Sequence, residues 1–99
     1  MKKMSICKLK LLTQIKLYAS QEIKKKAKIS LIAVNPSHVI YMRDDSETKD
    51  KMLNNDQWPE GMDQRIELTK MFLNSGGYSP SAITVVGDLE SICKKLTGK

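Results

Sequence analysis

Residues 31–42 read LIAVNPSHVIYM, two apolar runs rich in branched side chains on either side of Asn-Pro-Ser-His. Few stretches of the chain restrict its fold as much. Branched and aromatic residues favour extended backbone. Pro36 fixes its own φ and offers no N–H, so it has no place in the middle of a central ladder. Asn35 favours a turn by bonding to nearby backbone. The stretch therefore predicts two extended pieces, ISLIAV (29–34) and VIYM (39–42), hinged at NPSH. The near-continuous apolar character of the first suits a strand buried on both faces.

The other segments add strands and one helix. In CKLKLLTQIKL, residues 7–17, the odd positions are mainly apolar and the even ones carry Lys8, Lys10, Gln14 and Lys16, with Leu12 as the exception. Period-two alternation reads as a half-buried strand with a lysine-rich outer face. A helix competes, since Leu11, Ile15 and Tyr18 also fit helical spacing. RIELTKMFLN (65–74) and AITVV (82–86) read as two more strands joined by SGGYSPS, a hairpin with a longer loop. At the end, Asp88 is placed to cap a helix. There Leu89, Ile92, Cys93 and Leu96 form one apolar stripe, and Gly98 provides a left-handed stop. The expected fold is α+β: a small, mainly antiparallel sheet of four or five strands with one C-terminal helix.

Ninety-nine residues bound this to a single domain, 1–99. Only Tyr18, Tyr41, Trp58, Phe72 and Tyr78 are aromatic, so the core leans on Ile, Leu, Val and Met. No run approaches the roughly 18 apolar residues that a membrane span needs, and lysines interrupt the N-terminal apolar stretch that a signal peptide would require. The expectation is a cytoplasmic protein without a membrane partner. Cys7 and Cys93 form no CxxC pair and fit buried free thiols in a reducing compartment.

Charge is unevenly spread. Residues 1–33 hold nine lysines and one acid, whereas residues 34–99 hold eight Lys or Arg and ten acids. Lys8, Lys10, Lys16, Lys24, Lys25, Lys26 and Lys28 form a candidate basic stripe for RNA or DNA, binding phosphates through counter-ion release. A solvated Lys-rich face is the plainer reading. Residues 43–64 form an acidic, turn-rich segment read as a loop or insertion within the domain. Such a loop is either mobile or functional. Trp58 within it either anchors the segment on the body or contacts a partner, and with Asp56 and Glu60 it makes a candidate partner-binding surface.

Signals for chemistry are thin. His38 is the lone histidine, and its neighbour Ser37 points away from it on extended backbone. One histidine and two dispersed cysteines cannot supply a zinc site. DDSETKD lacks the glycine and the final glutamate of a calcium loop, and NSGGYSPS lacks the lysine of a phosphate loop. No catalytic residue, metal or cofactor is expected. The first functional expectation is a small non-enzymatic binding or regulatory protein acting through protein–protein contacts, with an unknown protein partner. Homodimerisation through a free sheet edge is part of it. RNA or DNA binding by the Lys-rich N-terminal third is the alternative.

Three pieces of the chain also resemble the small flagellar FlbD-like family: Val34-Asn35-Pro36 with Ile40, then Arg65 to Leu68, then Val85-Val86 with Glu90-Ser91-Ile92. The resemblance implies a strand, an Asn-Pro turn, a strand, a hairpin, a further strand and then a short helix with an acidic start. It also implies a small non-enzymatic accessory or regulatory module, and it carries over no ligand and no catalytic residue. The basic N-terminal strand, the 43–64 segment and the longer hairpin turn depart from that pattern.

Overall fold

The structure, a computed structural model, describes residues 9–16, 26–74 and 81–98. Five strands and two helices follow in the order β1 (Lys10–Lys16), β2 (Lys28–Val34), β3 (Val39–Asp44), α1 (Ser46–Asn54), β4 (Leu68–Leu73), β5 (Ser81–Val86) and α2 (Leu89–Thr97), with a 3-10 turn at Pro36–His38 between β2 and β3. The strands form one antiparallel sheet in the order β2-β1-β5-β4-β3. The α+β fold follows directly from the alternation and capping signals. The closing loop of the β4–β5 hairpin, residues 75–80, lies outside the described residues, as do Cys7, Tyr18 and Tyr78.

The Asn-Pro hinge governs the shape of the sheet. Antiparallel pairing throughout sets β2, β5 and β3 running one way and β1 and β4 the other. β2 and β3 occupy opposite edges, yet only residues 35–38 join them. Five residue steps span at most about 18 Å, and a helical turn shortens them further. Four spacings across a flat sheet come to about 19 Å. The sheet must therefore roll until its two edges approach. The packing agrees with this: Val34 of β2 lies in one cluster with Met71 of β4, against Val39 and Met42 of β3. The β3–β4 ladder itself extends to the turn, where the backbone N–H of Asn74 donates to the carbonyl of His38 at 2.8 Å. At the hinge itself, Asn35 Oδ1 accepts from the backbone N–H and the hydroxyl of Ser37, at 3.0 and 2.8 Å.

Each face of the sheet carries a core. On one face Leu12, Val34, Met71 and Val85 pack with Ile92 of α2. On the other Ile15 and Leu68 pack with Ala27, Met52 of α1 and Trp58, with Val86, Met62 and Ile66 at the margin. α2 starts where Asp88 accepts from the N–H of Ser91, and it ends at Gly98 with φ +78°. Only Ile92 of its stripe is buried, with Leu96 half-buried; Leu89 is exposed. Cys93, expected to be buried, is exposed as well, because the narrow contact with the sheet takes Ile92 and leaves the next position facing outward.

Two further expectations change. β2 is an edge strand, and Ile29, Leu31 and Ala33 are exposed; an apolar run alone cannot tell a central strand from an uncovered edge. The segment 43–64 is no continuous loop. Asp45 caps α1 by accepting from Thr48 N–H at 3.1 Å, and Glu47 in its first turn suits the helix dipole. The mostly polar SETKDKMLN buries only Met52, so little apolar periodicity announced it.

Candidate interaction surface

Trp58 is the centre of the predicted partner surface, and it is buried. It is 6% exposed, and its indole N–H donates to the Met62 carbonyl at 2.9 Å. Lys49 Nζ lies 5.5 Å from the ring centroid. Asp56, at φ +58°, is tied to the entry of β2: Lys26 Nζ contacts its carboxylate at 3.2 Å and donates to its carbonyl at 3.1 Å. Ala27 N–H donates to the Gln57 carbonyl at 2.7 Å next to it. Glu60 is exposed. Asp56 and Glu60 are thus exposed while Trp58 is not, and of the two roles weighed for Trp58 the anchor is the one its burial matches.

The basic stripe is also dispersed. Lys8, Lys24 and Lys25 lie outside the described residues. Lys10 and Lys16 stand at opposite ends of β1, about 20 Å apart, and Lys10 lies against Gly98 at the end of α2. Lys16 faces Lys28 across the β1–β2 ladder, both exposed. Lys26 is paired with Asp56. The even positions of β1 also include Leu12, which is fully buried, whereas Leu11 is 65% exposed. Both faces of β1 are covered, each at a different point, so alternation misassigned its outer face.

The surface that the fold does leave open lies on the α1 side of the sheet. Side chains on this side, traced through the register, are Leu11, Thr13 and Ile15 of β1, Ile29, Leu31 and Ala33 of β2, Tyr41 and Arg43 of β3, Leu68, Lys70 and Phe72 of β4, and Ala82, Thr84 and Val86 of β5. α1 and the residues after it cover the middle. Asp45 is central to that cover: its N–H donates to the Leu68 carbonyl at 2.9 Å, and its carboxylate accepts from Thr84 Oγ1 at 2.7 Å. Burial pushes the Asp45 pKa up, but hydrogen bonds from Thr84 and Thr48 and the nearby Lys70 charge outweigh it and hold the pKa below the ordinary carboxylate value.

This cover leaves two uncovered flanks. One is aliphatic: Leu31 is 74% exposed, Leu11 65% and Ile29 44%. The other joins β3 and β4, where Tyr41 stacks on Phe72 with centroids 4.4 Å apart and planes at 22°. Arg43 and Lys70, register partners on the same face, place their cationic groups 5.8 and 5.7 Å from the Phe72 centroid. No expectation from the sequence singled out these residues. Their alternation within each strand was visible, but the pairing of residues 41 and 72 was not.

His38 is exposed on the 3-10 turn and lines a cleft of about 190 Å³ with Ile32, Ala33, Val34, Asn35, Leu73 and Asn74, none of them acidic or nucleophilic. A cleft of about 400 Å³ is lined by Arg65, Ile66, Glu67, Gly87 and Asp88, with polar and apolar surface in similar measure; its Arg65 is engaged by Asp63 at 2.8 Å. Among the described residues no group of three His, Cys, Asp or Glu side chains is placed to hold a metal ion, and no helix is long and apolar enough to cross a membrane. The chain matches no protein-family model, no characterised protein and no solved structure.

Proposed function

We propose that this is a small non-catalytic binding or regulatory protein that acts through protein–protein contact, made by the β1–β2 flank rather than by the segment around Trp58. The exposure of Leu31, Leu11 and Ile29 on one side of an edge strand is the observation that supports this reading. Isolated exposed apolar residues are ordinary, but a contiguous apolar patch on a small protein marks a contact surface. Edge strands that stay alone are usually blunted by internal charge, proline or a bulge. From Ile29 to Val34, β2 has none of these. Among the described residues, no strand pairs with its outer side.

The partner for this flank is a second copy of the chain. Two β2 strands meeting antiparallel about Leu31 keep the two Lys28 side chains at opposite ends of the new ladder, about 20 Å apart, so no like charges oppose each other. The resemblance to the FlbD-like family implies an accessory module of the same general kind.

Sedimentation analysis tests the reading. The wild-type chain is expected to dimerise, and Leu31→Lys to be monomeric with an unchanged circular dichroism spectrum and unfolding midpoint. A wild-type chain that stays monomeric up to its solubility limit, or a Leu31→Lys variant that dimerises equally well, overturns it.

A further inference from the structure

We propose that the β3–β4 flank is a binding site for single-stranded nucleic acid. This inference is independent of the β2 contact and involves none of its residues.

Four side chains carry it. Tyr41 and Phe72 face each other across the ladder, and Arg43 and Lys70 do the same two residues along. Cross-strand aromatic pairs stabilise sheets in general, so stacking alone is no sign of a ligand. The cations are different. Like charges placed directly opposite destabilise a strand pair, and among the described residues neither Arg43 nor Lys70 forms an ion pair. The Lys70 charge acts on the nearby Asp45 carboxylate, which compensates the doublet in part; Arg43 has no ion-pair partner among the described residues, and an external anion would relieve the remaining positive charge. The nearest acid on the same strand, Asp44, belongs to the opposite face, and its Oδ2 accepts from Ser46 N–H at 3.1 Å.

The aromatic half decides which anion. Tyr41 is 52% exposed, so a ring already stacked on Phe72 still presents open surface. Beside Phe72, the register partner on β5 is Ala82, a small and exposed residue that leaves the surface flat. A flat aromatic surface next to cations suits a nucleobase followed by its phosphate. Arg43 and Lys70 lie about 7 Å along the strands from the rings, within reach of the phosphate of a base stacked on Tyr41. In a duplex the base faces are already stacked, so the site takes unpaired bases. A purely acidic peptide would use the charges and leave the rings idle. The chain's net charge of +6 favours the same class of ligand at longer range. With stacking and phosphate contact as the main forces, the site discriminates little between sequences.

The test is fluorescence anisotropy with labelled oligo-dT and oligo-U at low salt, using the full chain. Binding is expected, with affinity falling as salt rises. Tyr41→Leu, which keeps bulk and removes the ring, is expected to weaken binding about five- to a hundredfold, and Tyr41→Trp to retain it. Arg43→Gln and Lys70→Gln should each make the log–log salt dependence shallower by about 0.7. Their exposed or half-exposed positions let circular dichroism check that the fold survives. Absence of binding at low salt overturns the proposal. So does binding that Tyr41→Leu and Arg43→Gln leave unchanged, which would place the contact elsewhere. Equal competition by poly-glutamate also overturns it, because it would show the surface to be an unspecific anion or acidic-protein site. Sedimentation of the unliganded chain is unaffected by any of these results, so failure here is distinct from failure of the dimer.

Discussion

Thr84 on β5 donates a 2.7 Å hydrogen bond to Asp45, the same carboxylate that caps α1. One buried side chain thereby starts a helix and fastens it to the middle of the sheet. Thr84→Val is expected to cost about 1.5–3 kcal/mol, the range for a hydrogen bond to a charged group, measured by urea unfolding.

The pH dependence follows from the same contact. Hydrogen bonds hold the Asp45 pKa below its ordinary 3.8 despite the opposing effect of burial. A group with a depressed folded pKa stabilises fully above its unfolded value, and that stability is lost as pH falls through the folded pKa. Wild-type stability should therefore fall below about pH 4, and the gap to Asp45→Asn should narrow there. Urea midpoints across an acid titration check it.

Trp58 behaves as an anchor in this structure. Trp58→Ala removes a buried indole from the cluster of Ile15, Met52 and Leu68 and should destabilise by about 3–5 kcal/mol. Trp58→Phe loses mainly the bond to Met62, about 1 kcal/mol. Neither should change the dimerisation constant of the folded fraction, which sedimentation at matched folded concentration reads.

Gly87 has φ +129°, and a Cβ built on it meets Ile92 Cδ1 at 3.0 Å. Gly87→Ala therefore combines backbone strain with a contact against the residue that docks α2. A loss of about 1–3 kcal/mol is expected, seen as a lower thermal midpoint.

At the hinge, Asn35→Ala removes the acceptor for both Ser37 groups. About 0.5–2 kcal/mol should be lost, as for other capping side chains. Asn35→Asp keeps the acceptor and should lose less, again by urea unfolding.

Local chemistry made much of this fold legible. The alternation of β1, the Asp88 and Gly98 stops of α2 and the Asn-Pro turn are all short-range signals, and each element formed where they pointed. α1 was missed because SETKDKMLN buries only Met52, and the Asp45 cap that precedes it reaches the sheet through a polar contact. The exposure of β2 was missed because its position depends on which strands flank it, not on its own residues. The same holds for Tyr41 with Phe72 and for Arg43 with Lys70, which meet only after β3 and β4 find their register. The partner-contact reading of Trp58 rested on its polar neighbours in sequence. In space its neighbours are Met52, Ile15 and Leu68.

The two cores lie on opposite faces of one sheet, and the same three strands supply both. β1 gives Leu12 to one and Ile15 to the other, β4 gives Met71 and Leu68, and β5 gives Val85 and Val86. Neither cluster can come apart without disturbing strands that the other depends on. The consequence is kinetic and thermodynamic unity: damage to either core should lower one common melting transition, with helix and sheet signals lost together, rather than releasing half of the molecule.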